Sequence, residues 1–369
     1  MDNRLKMKKI LTFAAALAAV ACTPKQETLT LLVGTYTEDA RPSDGRGVFL
    51  YSLNTKTLEA TQIGVAQSGN PSFVIQALDG KTAYAVNEFN DGRQGVSSYT
   101  FGPEGVELIS SDSIPQGGED PCNILYTGDA LVTSNYTGGT LSAFAIKEDG
   151  SIGELTQTWA PDIEHAAHIH CAVLSPDGKY IFVTDLGNDF IYRFERLSGT
   201  APLGEMTVAW GSAAGSHFGP RHLTFSPDGK FAYLLCELGD KLISFRYDDG
   251  EFVQLQVIDA YQGEGHGSAD IHLSPDGRFL YTSHRLKEDG VAVFAVDAES
   301  GEASPVGYQP TGIHPRNFAI TPDGKLLLCA CRDSDRIEIY SIDPETGLLK
   351  DAGKSIDLPA PVCVQIVMN

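Results

Sequence analysis

Apolar and polar residues alternate with a period of two over short runs along most of this chain, and no segment sustains helical spacing. Residues 219–238 show the pattern most clearly. Leu223, Phe225, Tyr233 and Leu235 supply the apolar positions of two runs. Ser226-Pro227-Asp228-Gly229 separates them, with Pro setting one φ and Gly allowing a positive one. That reads as a strand, a tight turn and a second strand. Related tetrapeptides begin at Ala77, Ser175, Ser274 and Thr321. From Ser175 onward the intervals are 51, 48 and 47 residues. The interval from Ala77 to Ser175 is 98, with a degenerate copy, Tyr126-Thr127-Gly128-Asp129, midway. Six hairpins therefore recur at a period of about 49 residues.

Each hairpin is followed by a third and a fourth run, as at 241–247 with 252–258, 95–101 with 106–114, and 290–296 with 303–309. Four antiparallel strands in a repeat of this length predict an all-β fold, the β-propeller. The Gly-His and Trp-Asp marks of WD40 blades are absent. Runs at 28–34, 48–53 and 58–65 lack an inner partner, and a run at 361–367 has no hairpin partner after it. Pairing the last run with the first would close a ring and remove exposed strand edges. The expectation is a seven-bladed β-propeller of four-stranded antiparallel blades over residues 29–369, closed by its termini, with no linker and no second domain.

Charge and cysteine usage narrow the class. The 369 residues carry 27 Lys and Arg against 48 Asp and Glu, a net charge of -21. So acidic a surface argues against nucleic acid, whose phosphates need a basic face. The first residues stand apart: Arg4, Lys6, Lys8 and Lys9 precede an apolar stretch at 10–20 that is too short to span a bilayer. Ala19-Val20-Ala21-Cys22 then resembles the lipobox of bacterial lipoproteins, with Ala19 where Leu is usual. It predicts a signal peptide over 1–21, a lipid anchor on Cys22 and a short tether over 22–28. An ordinary secretory cleavage at Ala-x-Ala is the alternative, and both export the protein. Six further cysteines show no zinc or Cys-x-x-Cys spacing and read as small core hydrophobes.

In an antiparallel hairpin the start of the first strand and the end of the second meet at one edge. Across the repeats these positions hold Asn87 and Glu88, Asn135 and Tyr136, His168, His170 and Asp185, Arg221, His222 and Glu237, Asp270, His272, His284 and Arg285, and Arg316, Arg332 and Asp333. Unlike polar groups at equivalent positions of one rim point to a site for a small anionic ligand. His165, His168 and His170 form a His-x-x-His-x-His cluster, but spacing fixes no further ligand, and no metal is expected. Gly263-Glu264-Gly265-His266-Gly267 lacks the strand-to-helix setting of a dinucleotide loop, and no cofactor is expected.

Gly219-Pro220-Arg221-His222 with Glu237-Leu238, Asp270-Ile271-His272 with His284-Arg285, and Pro315-Arg316-Asn317-Phe318 together resemble the propeller lactonase family. That family includes bacterial 6-phosphogluconolactonases and fungal carboxy-muconate lactonizing enzymes. Gly34-Thr35-Tyr36-Thr37 and Ser134-Asn135-Tyr136-Thr137-Gly138-Gly139 are also similar to its motifs. The resemblance implies a lactone hydrolase whose catalytic residues are His170, Arg221, Glu237 and Arg285. Asn87, Glu88, Asn135, Asp185, His222 and Arg316 are then expected to bind substrate. Lactone hydrolysis needs an activated water and a donor for the developing oxyanion. His170 and Glu237 both stand as candidates for the base, and Arg221 for the oxyanion or a substrate carboxylate. Arg285 and Arg316 suit a phosphate or carboxylate. The expected partner is a small anionic lactone, with membrane contact only through the anchor, and the expected state is a monomer. A lactonizing cycloisomerase and a non-catalytic binding propeller remain as alternatives, and export sits uneasily with a cytoplasmic sugar-phosphate substrate.

Overall fold

The Ser-Pro-Asp-Gly turns are built by their own first side chain. Ser226 Oγ donates to Asp228 Oδ1 at 2.7 Å and accepts the Phe231 N–H at 3.0 Å. Ser175, Ser274 and Thr321 repeat both contacts. Gly229 closes the turn at a φ of 71°, which costs an L-residue about 1–2 kcal/mol. The turns therefore set the register of these four hairpins through local contacts.

The computed structural model describes residues 27–38, 47–163, 165–263 and 267–368. Seven four-stranded sheets stand around one channel, and every pairing in them is antiparallel. Numbering blades in chain order, the inner and second strands are Val74–Gln76 and Thr82–Asn87 in blade 2, and Pro121–Tyr126 and Ala130–Asn135 in blade 3. Blade 4 has Ile169–Leu174 and Tyr180–Asp185, and blade 5 has Pro220–Phe225 and Phe231–Cys236. Blade 6 has Ser268–Leu273 and Phe279–His284, and blade 7 has Pro315–Ile320 and Leu326–Cys331. Blade 1 takes its inner strand, Pro361–Ile366, from the C-terminus and pairs it with Thr28–Thr35. The ring closes as expected. The outer strand of blade 1 begins at Ala60 rather than 58, because Leu58 sits at a φ of 60° in the preceding turn.

Burial explains the pattern of the runs. The second strands of blades 2, 3, 5, 6 and 7 are buried at every residue, covered on both faces by neighbouring blades. Outer strands such as Glu251–Asp259 mix exposed and half-buried positions. The core lies between blades: Phe182 of blade 4 packs with Leu234 and Phe245 of blade 5, and with Phe225 and Phe252. Fully burying a side chain such as Phe182 contributes about 1.5–3 kcal/mol. Six cysteines are buried free thiols, as their apolar surroundings led us to expect. Cys22, residues 41–46 and residues 264–266 lie outside the described residues.

Candidate active site

Two kinds of position recur at the channel mouth, and both follow from local strand geometry. The first is a β-bulge in the inner strand. In blade 5, Pro220 pairs with Cys236 but His222 pairs with Leu235, so Arg221 is the extra residue. The same slip leaves Cys122 extra in blade 3, His170 in blade 4 and Arg316 in blade 7. A bulge re-aims a side chain that would otherwise alternate, and it lets Arg221 and His222 touch. The second position is the residue just past the second strand. Tyr36, Glu88, Tyr136, Glu237 and Arg332 all occupy it. Each donates its backbone N–H to the loop before the inner strand of its own blade, as Glu237 does to Gly219 at 2.7 Å.

The two sets meet. Arg221 Nε donates to Glu237 Oε2 at 2.9 Å, and Arg285 Nη2 donates to Glu237 Oε1 at 2.6 Å. Arg221 Nη1 also donates to the Ala269 carbonyl, and Arg285 Nε to the Gly267 carbonyl. Burial opposes the Glu237 charge, but Arg285, Arg221 and Arg316 outweigh it and hold its pKa below the ordinary value. Burial also brings Arg285 down to about 10, against the pull of Glu237. The His170 ring centroid lies 5.2 Å from that of His222 and 5.8 Å from that of Tyr136. Its buried Nδ1 has no hydrogen-bond partner among the described residues. Burial, then Arg221, His222, Arg316 and Arg285, keep this ring well below the usual imidazole value, so it is neutral. Across the mouth, Arg316 Nη2 donates to Glu88 Oε2 at 3.1 Å and the Tyr36 hydroxyl donates to Glu88 Oε1 at 2.7 Å. The guanidinium carbons of Arg316 and Arg332 lie 5.2 and 5.3 Å from the Tyr36 ring centroid.

The chain matches the family described as Lactonase, 7-bladed beta-propeller over residues 30–366. It belongs to that family. A 6-phosphogluconolactonase of Formosa agariphila is 33% identical over 335 residues, spanning 87% of this chain and 94% of that protein. A Bacteroides fragilis protein provisionally assigned as a 6-phosphogluconolactonase superposes with a TM-score of 0.86 at 41% identity, covering 94% of this chain and 99% of that one. The periplasmic gluconolactonase of Pseudomonas aeruginosa superposes with a TM-score of 0.83 at 31% identity, covering 92% and 99%.

In this lactonase-family chain His170, Arg221, Glu237 and Arg285 come together from three consecutive blades, with His222, Glu88 and Arg316 around them. Three residues expected to bind substrate do not join them. Asn87 donates to Ser68 Oγ and the Gly69 carbonyl and accepts from Ser97 Oγ. Asn135 is bonded to Thr133, Thr140 and Ser142. Asp185 accepts from the N–H groups of His168, Gly187 and Asn188 and from the Tyr192 hydroxyl. Each is the last residue of a second strand. Alternation turns it into its own blade, one residue short of the position that faces the channel. Tyr36, Tyr136 and Arg332 hold that position; the sequence places Tyr136 and Arg332 on the rim without a role, and Tyr36 only within a motif. His168 lies against Tyr136: its Nδ1 is 3.0 Å from the Tyr136 carbonyl and its ring stacks on the Tyr136 ring.

Proposed function

We propose that this enzyme hydrolyses a sugar or carboxylate lactone at the channel mouth, with His170 as general base. One observation carries the reading: two arginines are clamped on Glu237 beside a neutral imidazole with a buried, unpartnered nitrogen. In the reaction His170 takes a proton from water as the water oxygen bonds to the acyl carbon. The carbonyl electrons move onto the oxygen, where free N–H groups of Arg221 and Arg285 meet the developing charge. Collapse breaks the bond from the acyl carbon to the ring oxygen. His170 returns its proton to that oxygen, and the product is an open hydroxy acid. Glu237 is a poor base in this scheme, since both its oxygens already accept from arginines; its role is to hold them. Arg316 supplies a positive charge that favours a substrate carrying a carboxylate or phosphate.

The test is pH-stat titration with δ-gluconolactone, its 6-phosphate and other lactones. His170→Ala is expected to lose roughly 10²- to 10⁴-fold in kcat. No acceleration with any lactone would overturn the reading in favour of a binding propeller. We further propose that residues 1–21 are a cleaved signal peptide and that Cys22 carries a lipid, so that the domain works in the cell envelope. The basic and apolar segments before Cys22 support this, as does the periplasmic relative. Palmitate labelling that persists in Cys22→Ser would rule the anchor out.

A further inference from the structure

The two ion pairs on Glu237 are the middle of a longer chain. On one side Arg221 Nη1 lies 3.1 Å from His222 Nε2, and His222 Nδ1 lies 2.8 Å from Asp270 Oδ1. On the other, Arg285 Nη1 lies 3.4 Å from His314 Nε2, and His314 Nδ1 lies 3.7 Å from Asp333 Oδ2. The order Asp270, His222, Arg221, Glu237, Arg285, His314, Asp333 reads the same from either end. Repeat symmetry does not produce it. His222 lies within the inner strand of blade 5, whereas His314 lies in the loop before the inner strand of blade 7, at a φ of 62°.

Arginine only donates. Each histidine must therefore present a lone pair at Nε2 and carry its proton on Nδ1, toward the aspartate. Asp270 is fixed in place for this. Its Oδ1 also accepts the Ile271 N–H at 3.0 Å, and its Oδ2 accepts from Asn317 Nδ2 at 2.6 Å and the Phe318 N–H at 3.1 Å. His314 is rooted by its own backbone, which donates to Asp289 Oδ1 at 2.8 Å and accepts from the Arg332 N–H at 3.1 Å. Burial keeps both rings neutral, helped by Arg221 at His222, which lies at about 4, and by Arg285 and Arg332 at His314, which lies at about 2. Glu237 and a backbone carbonyl, Ala269 for Arg221 and Gly267 for Arg285, hold two nitrogens of each guanidinium; the histidines add a contact at the third nitrogen of Arg285 and a second one at Arg221 Nη1, which narrows the remaining freedom.

We propose that His222 and His314 are positioning residues that pin the outer nitrogens of Arg221 and Arg285, so that the remaining N–H groups stay aimed into the channel. The kinetic consequence rests on the lactonase reading; the structural consequence does not. His314→Leu removes the acceptor, whereas the amide oxygen of His314→Gln replaces it, and both bear equally on the strained backbone. His314→Leu is expected to lower kcat about 10- to 100-fold with little change in KM, and His314→Gln to recover most of the loss. Crystal structures should show Arg285 displaced from Glu237 in His314→Leu and restored in His314→Gln. Wild-type kcat in His314→Leu, an equal loss in both variants, or an unmoved Arg285 would each overturn the proposal. His222→Leu and His222→Gln repeat the test on the other arm; should His222→Leu fail to fold, the His314 pair decides. A wild-type protein idle on every lactone overturns the lactonase reading instead, and the crystallographic comparison still decides the pinning.

Discussion

Glu237 and His170 sit close to the same chemistry, yet their removal should differ in its effect on stability. The Glu237 side chain is 19% exposed, while the two arginines it holds are 2% and 7% exposed. Glu237→Gln leaves buried cations without their counter-charge, and a loss of about 3 kcal/mol in denaturant unfolding is expected, together with loss of turnover. His170→Gln removes a group with an unpartnered buried nitrogen, so activity should fall while the unfolding midpoint holds. Acid adds a second residue-scale test. Burial and Arg221 place His222 at about 4, and burial places His284 at about 3, against 6.5 for a free histidine. His170 and His314 are depressed in the same direction. Below pH 6.5 the unfolded chain then binds protons that the folded chain refuses, so stability falls with pH, by up to about 1.4 kcal/mol per unit for each histidine. His272 works the other way: against burial, Asp270 raises it, adding stability below pH 6.5 that is lost as pH rises through the folded value. At 43% exposure its contribution is the smaller. Unfolding midpoints should decline from pH 6.5 to 4.5, and His284→Gln should flatten the decline. A flat wild-type profile would contradict this account.

At the scale of strands and turns, the Ser-Pro-Asp-Gly hairpins lie at the end away from the mouth. Ser226→Ala removes the contacts to Asp228 and the Phe231 N–H and should cost about 1 kcal/mol, while kcat stays at the wild-type value. Those turns are also why the fold was legible in the sequence: a Pro-Asp-Gly turn between alternating runs states a hairpin locally, and its recurrence states the blade. The site was legible only in part. Arg221, Glu237, His170 and Arg285 stand out because they match the family's motifs at positions that the hairpins already place on one rim. The bulge that turns Arg221 and His170 to the channel leaves no mark in composition. Without that offset, Asn87, Asn135 and Asp185 look equivalent to Glu237, although each lies one residue earlier and faces the other way. His314 escaped notice, and Asp270 stood out only as part of a motif, for a different reason: their partners lie 29 and 48 residues away in other blades.

For the molecule as a whole, the strand Thr28–Thr35 runs from the turn end to the mouth, where Tyr36 meets Glu88. Glu27 lies in a cleft at the turn end with Thr55, Pro275 and Asp323. An attachment through Cys22 would have at most about 20 Å of chain to reach Thr28, holding the turn end to the bilayer and the mouth outward. Protein coupled to vesicles through Cys22 should then turn over lactone as fast as the free domain; a loss on coupling would mean that the mouth faces the membrane. The C-terminal inner strand of blade 1 bears on time as well as shape. A chain that emerges N-terminus first, from a ribosome or across a membrane, presents Thr28–Thr35 long before Pro361–Ile366 exists to cover it. For nearly the whole of its emergence the protein is an open arc with an unpaired strand edge, the form most exposed to aggregation. Pro361–Ile366 acts as a latch, and until it pairs the edge of Thr28–Thr35 stays open.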